Sequence, residues 1–224
     1  MTGAATGVSG GPSRRDRIRA ATVEEIKQAA FGLIVEHGSA NLRFTDIARS
    51  MGITPPALYR YFADRDELLT ALVTDSYDSL SDALRATRST VPPDDLDGRF
   101  LASCAAYRSW ALRNPERFAL IFGAPVPGYA APPEGPTVAA AERALEHMVQ
   151  LAADTAEQGR LGTPVVPDVH EATLLAWATV HGFVTLEVHG HFHKLDQAAR
   201  DRLFAAQAGL AARTAGLAPP ADRP

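Results

Sequence analysis

The chain has 224 residues, 46% hydrophobic and 21% charged, the balance of a folded globular protein. No apolar run approaches the ~18 residues of a membrane span, and the Gly/Ser-rich start lacks the apolar core of a signal peptide. A single cysteine, Cys104, excludes an intramolecular disulfide framework and fits a reducing cytoplasm, while a net charge of −4 argues against nucleic-acid binding driven by bulk charge.

Alanine, leucine and arginine are abundant and no segment shows clear strand-period alternation, so an all-α protein is expected. Residues 1–16 read as a disordered basic arm: Met1–Pro12 is of low complexity, and the run RRDRIR at 14–19 places arginines where they would reach DNA phosphate. Thr22 and Glu25 have capping-box spacing and open a helix striped by Val23, Ile26, Ala30, Leu33 and Ile34, which ends at His37-Gly38. In the next helix Ile47, Ala48 and Met51 form one apolar face, and Gly52 breaks it. Thr54 is placed to cap a further helix with Pro55 at its first position, docked by Leu58 and Phe62. Two short helices across a glycine turn are the layout of a helix-turn-helix, whose second helix lies in the DNA major groove. Tyr59, Arg60, Tyr61 and Arg65 carry phenolic and guanidinium tips suited to phosphate oxygens; the alternative for the two tyrosines is half-buried packing. Charge distribution agrees only narrowly. Residues 1–70 hold nine Lys and Arg against eight Asp and Glu, a balance of +1, and residues 71–224 hold thirteen against eighteen, a balance of −5. DNA contact therefore depends on local placement of Arg14, Arg15, Arg17, Arg19, Arg43, Arg49, Arg60 and Arg65.

From Thr22 to Leu72 the stretch resembles the DNA-binding domain of the tetracycline-repressor-like (TetR) family of bacterial transcription regulators. The resemblance rests on a first helix ending in EHG, then FTDIARSMGI, then TPPALYRYF, followed by Arg65 and Leu68–Leu69. It implies DNA contacts at Thr45, Pro55, Pro56, Ala57, Tyr59, Tyr61 and Arg65; Arg43, Thr54 and Arg60 complete the expected DNA-binding set. The chain departs from the family at Arg43, where a capping Ser or Thr is usual, and at Pro55-Pro56, where a polar pair such as Lys-Gly is usual. The prolines remove two backbone donors from the helix start.

Asp64 is expected to cap a fourth helix that runs to about Arg88 and acts as a lever into a second domain, with TVPPDDLDG closing it. The domains are then 17–70 for DNA binding and 71–216 for ligand sensing and dimerisation, with 217–224 a disordered tail. In the second domain Phe100, Leu101, Cys104, Tyr107 and Leu112 stripe a helix, and Asn114 caps the next, with Pro115 at its first position. The Pro/Gly-rich loop Gly123–Pro136 has the length of a mobile portal. Thr137–Gln158 is helical with Ala141, Leu145, Met148, Val149 and Ala152 facing inward, and Gly159–Pro167 is a loop. Asp168 caps a long helix to about His191, and Asp196 caps the last, which fades near Gly216. The runs YRSWALRNPERFALIFG and AWATVHGFVTLEVHGHF resemble the C-terminal domain of a TetR subgroup bearing a Trp/His-Gly motif, which implies a helical ligand-sensing and dimerisation domain.

Tyr107, Trp110, Phe118, Phe122, Met148, Trp177 and Phe183 sit on these helices; core packing is their default role, and as a set they would line an apolar ligand pocket. Trp177, Val180, Val184 and Val188 repeat at helical spacing and serve either a dimer interface or the internal core; two copies of the last helix pair would form a four-helix bundle. No nucleophile elbow, P-loop or dinucleotide fingerprint is present, so no enzyme activity and no cofactor are expected. The alternative is a metal-responsive sensor or zinc hydrolase built on His189, His191 and His193, with His181 and Glu187 nearby; polar helix-end histidines are the favoured reading, because no HExxH spacing accompanies them. The expectation is a homodimeric, ligand-responsive regulator, a repressor released from a palindromic double-stranded operator by a small, mostly apolar effector.

Overall fold

The structure, a computed structural model, describes residues 13–157 and 168–217; the expectations for Met1–Pro12, for the loop Gly159–Pro167 and for the tail beyond Leu217 lie outside them. The regular elements among the described residues are all helical. The first, α1, spans Arg14–His37 and starts well before the Thr22 box. Ser13 is its N-cap: its hydroxyl accepts from Asp16 N at 3.2 Å and the Asp16 carboxylate accepts from Ser13 N at 3.1 Å. This S-x-x-D box, with no Gly or Pro following for several turns, makes RRDRIR the first turns of α1 and corrects the expectation of a disordered arm through residue 16. Thr22 is then mid-helix, and its hydroxyl donates back to Ile18 O at 3.0 Å.

A 3₁₀ turn at Ser39–Asn41 leads to α2 (Phe44–Ser50), α3 (Pro55–Leu58) and α4 (Arg65–Ala86). The end of α2 explains the turn. Gly52 takes φ 66°, Ile53 N donates to Ala48 O at 2.9 Å and Gly52 N to Arg49 O at 3.2 Å, the two bonds of a Schellman motif. Thr54 stands at the N-cap of α3 but its hydroxyl makes no capping bond; Pro55 at the first position carries no N–H to satisfy. Asp64 caps α4 as expected, accepting from Glu67 N at 2.8 Å. Ile26, Ala30 and Ile34 of α1, Ile47 of α2, Leu58 of α3 and Leu68 of α4 close the core of this first unit.

The first compact unit reaches Leu72 and also takes in Val126–Ala130. The middle of the 123–136 loop is thus held down: Val126 is buried, and the Tyr129 hydroxyl lies 3.1 Å from Thr70 Oγ1. That anchoring leaves no free portal over the loop's whole length.

The second unit holds the rest of α4 with α5 (Leu96–Arg113), α6 (Pro115–Phe122), α7 (Pro136–Glu157), α8 (Val169–Val188) and α9 (Gln197–Thr214). Asp95, Asp168 and Asp196 cap α5, α8 and α9 through backbone N–H groups three residues on. Asn114 stands at the N-cap of α6, but its side chain makes no capping bond; its Nδ2 donates back to Trp110 O at 2.8 Å. On α5 the buried stripe is Phe100, Cys104, Tyr107 and Ala111, which leaves Leu101 and Leu112 exposed. On α7 the buried stripe is Ala140, Ala144 and Leu151, rotated from the expected one, so Leu145 and Val149 are exposed; the Met148 and Ala152 side chains lie outside the described ones. Alanines on that stripe let neighbouring helices approach closely, which decides the face.

On α8, Val180 and Val184 are buried in the core, so the Trp177–Val188 stripe faces inward. The outward stripe is Leu175, Ala178, Gly182 and Leu186, and α9 adds exposed Leu203, Ala206 and Leu210. An ion-pair group joins α5, α8 and α9. The buried Glu187 carboxylate accepts from Arg108 Nε and Nη2, both at 2.6 Å, while Arg108 Nη1 donates to Asp201 at 2.8 Å. The bond to Glu187 raises the Arg108 pKa further, so the guanidinium stays charged. Both α8 and α9 end in further Schellman motifs at Gly190 and Gly216, and the second brings Leu217, which the expected tail included, into the core.

Candidate DNA-reading face and ligand cavity

Burial of Leu58 and Phe62 fixes which side of α3 faces out. The chain stays helically bonded past Leu58, with Tyr59 N donating to Pro55 O and Phe62 N to Leu58 O at 3.2 Å. Arg43, Thr45, Thr54, Pro55, Pro56, Tyr59 and Arg60 are exposed; Ala57 and Tyr61 are half-buried. Tyr59 leans its ring on Phe44, centroids 5.0 Å apart, and stays 55% exposed. It is therefore a surface phenol propped in place. Tyr61 packs differently, beneath the Arg19 guanidinium at 5.3 Å, and Arg19 Nη1 donates to Arg60 O at 3.2 Å. This pins the start of α1 onto the end of the reading helix. Arg49 pairs with Asp46 at 3.2 Å on α2, while Arg43 sits at the N-cap of α2 without capping it.

Arg65 is engaged within the protein itself. Its Nε donates to Leu42 O at 3.0 Å, and Nη2 to Ser39 O at 3.1 Å and Ala40 O at 3.3 Å. From the first turn of α4 it gathers carbonyls of the α1–α2 connection, of which Ser39 O also accepts from Leu42 N at 3.4 Å. The guanidinium fork suits such a cluster. Nothing in the local pattern distinguishes a carbonyl-gathering arginine from a phosphate-binding one.

The second unit contains a cavity of about 290 Å³. Tyr77, Leu80 and Leu84 of α4 and Ser103, Cys104 and Tyr107 of α5 form one side. Phe122 of α6, Ala141, Ala144 and Leu145 of α7, and Leu174, Trp177 and Val180 of α8 complete it. Of the aromatic set expected from the sequence, Tyr107, Phe122 and Trp177 are there. Trp110 is not: it is buried with Nε1 donating to Ser79 Oγ at 3.0 Å. Phe118 is wholly buried against Phe122 and His181 without reaching the cavity, and Phe183 packs away from it on Phe192 and Phe204. Tyr77, Ser103 and Cys104 were missed; the spacing of Tyr77, Leu80 and Leu84 along α4 was the available signal.

Behind the cavity wall stands His181. Its Nδ1 is 2.6 Å from the Tyr107 hydroxyl, its ring stacks on Trp177 at 4.8 Å, and Phe118 and Phe122 flank it. Burial lowers the His181 pKa and raises that of the Tyr107 phenol, so both are neutral at pH 7. Burial likewise pushes the Cys104 thiol up to about 12, and it lines the cavity as a thiol.

The other histidines do not form a cluster. Because α8 stops at Val188 and Gly190 turns with φ 77°, His189 and His193 do not share a helix face. Each directs Nδ1 onto a carbonyl, His189 to Thr185 O at 2.7 Å and His193 to Gly190 O at 3.0 Å. Among the described residues no group of three His, Cys, Asp or Glu is placed to hold a metal ion, so the metal-sensor or hydrolase alternative has no geometric support. Among the same residues no helix is long and apolar enough to cross a membrane.

Comparison with known proteins agrees with both units. The family profile described as "Bacterial regulatory proteins, tetR family" matches residues 26–72, and "Tetracyclin repressor-like, C-terminal domain" matches residues 100–210. The HTH-type transcriptional regulators Rv1816 of Mycobacterium tuberculosis and Mb1846 of Mycobacterium bovis are each 34% identical over 200 residues, covering 80% of this chain and 83% of the relative. The crystal structure of the regulatory protein SCO4313 superposes with a TM-score of 0.72 at 34% identity, over 89% of this chain and 98% of that one. The TetR family transcriptional regulator PfmR from Thermus thermophilus shares the fold, with a TM-score of 0.63 at 19% identity over 87% of this chain and 99% of its own.

Proposed function

This chain belongs to the tetR family of bacterial regulatory proteins and is a helix-turn-helix transcription regulator, and from that premise we propose that it is a repressor released from a palindromic operator by a small, mostly apolar effector. The observation that carries the reading is the two-ended use of α4: Arg65 in its first turn holds the α1–α2 connection, and Tyr77, Leu80 and Leu84 further along the same helix wall the cavity. An effector filling the cavity acts on a helix that also carries the reading domain. The repressor works as a homodimer through the outward stripe of α8 and α9, because a two-fold operator needs two reading helices about 34 Å apart or a multiple of that spacing. Tyr59, Arg60, Arg43 and Thr45 meet the DNA backbone and groove, with Thr54, Pro55 and Pro56 at the entry of the reading helix. The protein acts by binding, without catalysis, on double-stranded DNA in the cytoplasm.

The test is linkage. A ligand found by quenching of Trp177 is titrated with and without operator duplex, and duplex binding is followed by fluorescence anisotropy. Operator should weaken the ligand by the same factor by which ligand weakens operator, a coupling of about 1–3 kcal/mol. Equal ligand affinity in both titrations would leave a binding site without a switch.

A further inference from the structure

The effector reading above leaves open what kind of molecule the cavity accepts, and its walls answer that. Among the described residues, no Lys, Arg, His, Asp or Glu lines the cavity. The imidazole of His181 stands behind Tyr107 and Trp177 and is already bonded to the Tyr107 hydroxyl. An ionised group inside would have no counter-charge, and burying an unpaired charge is expensive. Hydrogen-bonding capacity is present all the same. Tyr77 brings a phenolic hydroxyl, and Ser103 Oγ, whose proton goes to Arg99 O at 2.9 Å, retains acceptor capacity.

Ser103 lines both the cavity and a neighbouring polar groove formed with Thr87, Arg99, His147, Gln150 and Asp154. The two opposite charges of that groove offset each other. Arg99 Nη1 lies 3.9 Å from Asp154 Oδ2, and Gln150 Nε2 donates to Asp154 Oδ1 at 2.8 Å. A carboxylate placed there meets Asp154, and an ammonium meets Arg99. A hydroxyl or amide meets donors and acceptors at no electrostatic cost. Size follows from the volume: a dry cavity of about 150 Å³ takes benzene, so one of about 290 Å³ takes a body of about a dozen carbon atoms.

We infer that the cavity selects an uncharged amphiphile, an apolar body of medium length with a hydroxyl or amide head at Ser103 and the Arg99–Asp154 groove, and that it discriminates against the carboxylate and ammonium of the same length. The inference rests on the cavity being the effector site, and its test separates the two.

The full-length protein is titrated by calorimetry at about pH 7.5 with 1-decanol, decanoate and decylamine, and 1-decanol should bind at least about tenfold more tightly than either ion. Asp154→Asn leaves Arg99 uncompensated while keeping a partner for Gln150. In that variant decanoate should gain at least about tenfold relative to 1-decanol. Wild-type protein that binds decanoate or decylamine as tightly as 1-decanol, or binds none of the three, overturns the assignment, and an unchanged ratio of decanoate to 1-decanol affinity in Asp154→Asn overturns the placement of the head. Operator release is read in the same samples. Binding of 1-decanol without release keeps the ligand class and overturns the effector reading; release by decanoate alone keeps the effector reading and overturns the class.

Discussion

Replacing Arg65 by alanine should lower stability before it lowers DNA affinity. Three carbonyl oxygens lose a charged donor, and hydrogen bonds to charged groups contribute about 1.5–3 kcal/mol net. The urea midpoint should fall by a corresponding amount, and lysine should not restore it, because an ammonium lacks the planar fork. Tyr59→Phe should do the reverse. The ring keeps its contact with Phe44 and stability holds, while operator affinity falls by about 0.5–1.5 kcal/mol, similarly across DNA sequences. An Arg65→Ala variant with a wild-type midpoint would return that side chain to the DNA face. His181 gives a pH signature at the same scale. Its folded pKa lies below the ordinary 6.5, so the unfolded chain takes the proton first. The neutral imidazole's contribution is complete above that ordinary value and is lost as pH falls from it through the folded pKa. Urea midpoints at about pH 7.5 and about pH 5.5 should therefore differ more for wild type than for His181→Gln. Equal slopes would show that His181 titrates as if exposed.

Among the elements, helix ends were more legible than helix faces. Gly52 and the capping aspartates Asp64, Asp168 and Asp196 carry local backbone chemistry, and the structure uses each as its sequence neighbourhood implies. Faces depend on partners that local sequence does not name. The valines of α8 point inward while Leu175, Ala178, Gly182 and Leu186 point out, because on a helix rich in apolar residues all round, tertiary packing chooses the buried side. The same choice turned Val149 outward on α7 and left Leu145, half open to solvent, at the edge of the cavity. In the proposed dimer, Ala178→Glu and Leu203→Glu place a charge on the outward stripes of α8 and α9. Each should give helical monomers by light scattering, with operator affinity reduced at least about tenfold because one reading helix no longer positions the other. Dimers of unchanged mass in both variants would move the interface off these helices.

For the whole molecule, two compact units share one chain, and each was visible in the sequence for a different reason. The DNA-binding unit is short and depends on local signals: a glycine turn, a proline start and two anchors. The cavity of the second unit gathers residues from five helices, so the sequence supplied Tyr107, Phe122 and Trp177 as aromatic candidates without a way to separate them from Trp110, Phe118 and Phe183. Aromatic composition marks that a core is bulky; only packing shows which rings face empty space. The same limit hid Ser103, a small polar residue that lines both the cavity and the neighbouring groove.

In the proposed function, a two-fold pair of reading helices recognises the operator. Selection of duplexes from a random pool, followed by anisotropy titration of the winner over a range of salt, tests it most directly. The expected result is an inverted repeat and, with about four phosphates neutralised per subunit, a slope of log affinity against log salt near −7. Recovery of no shared sequence, or an affinity indifferent to salt, would contradict it.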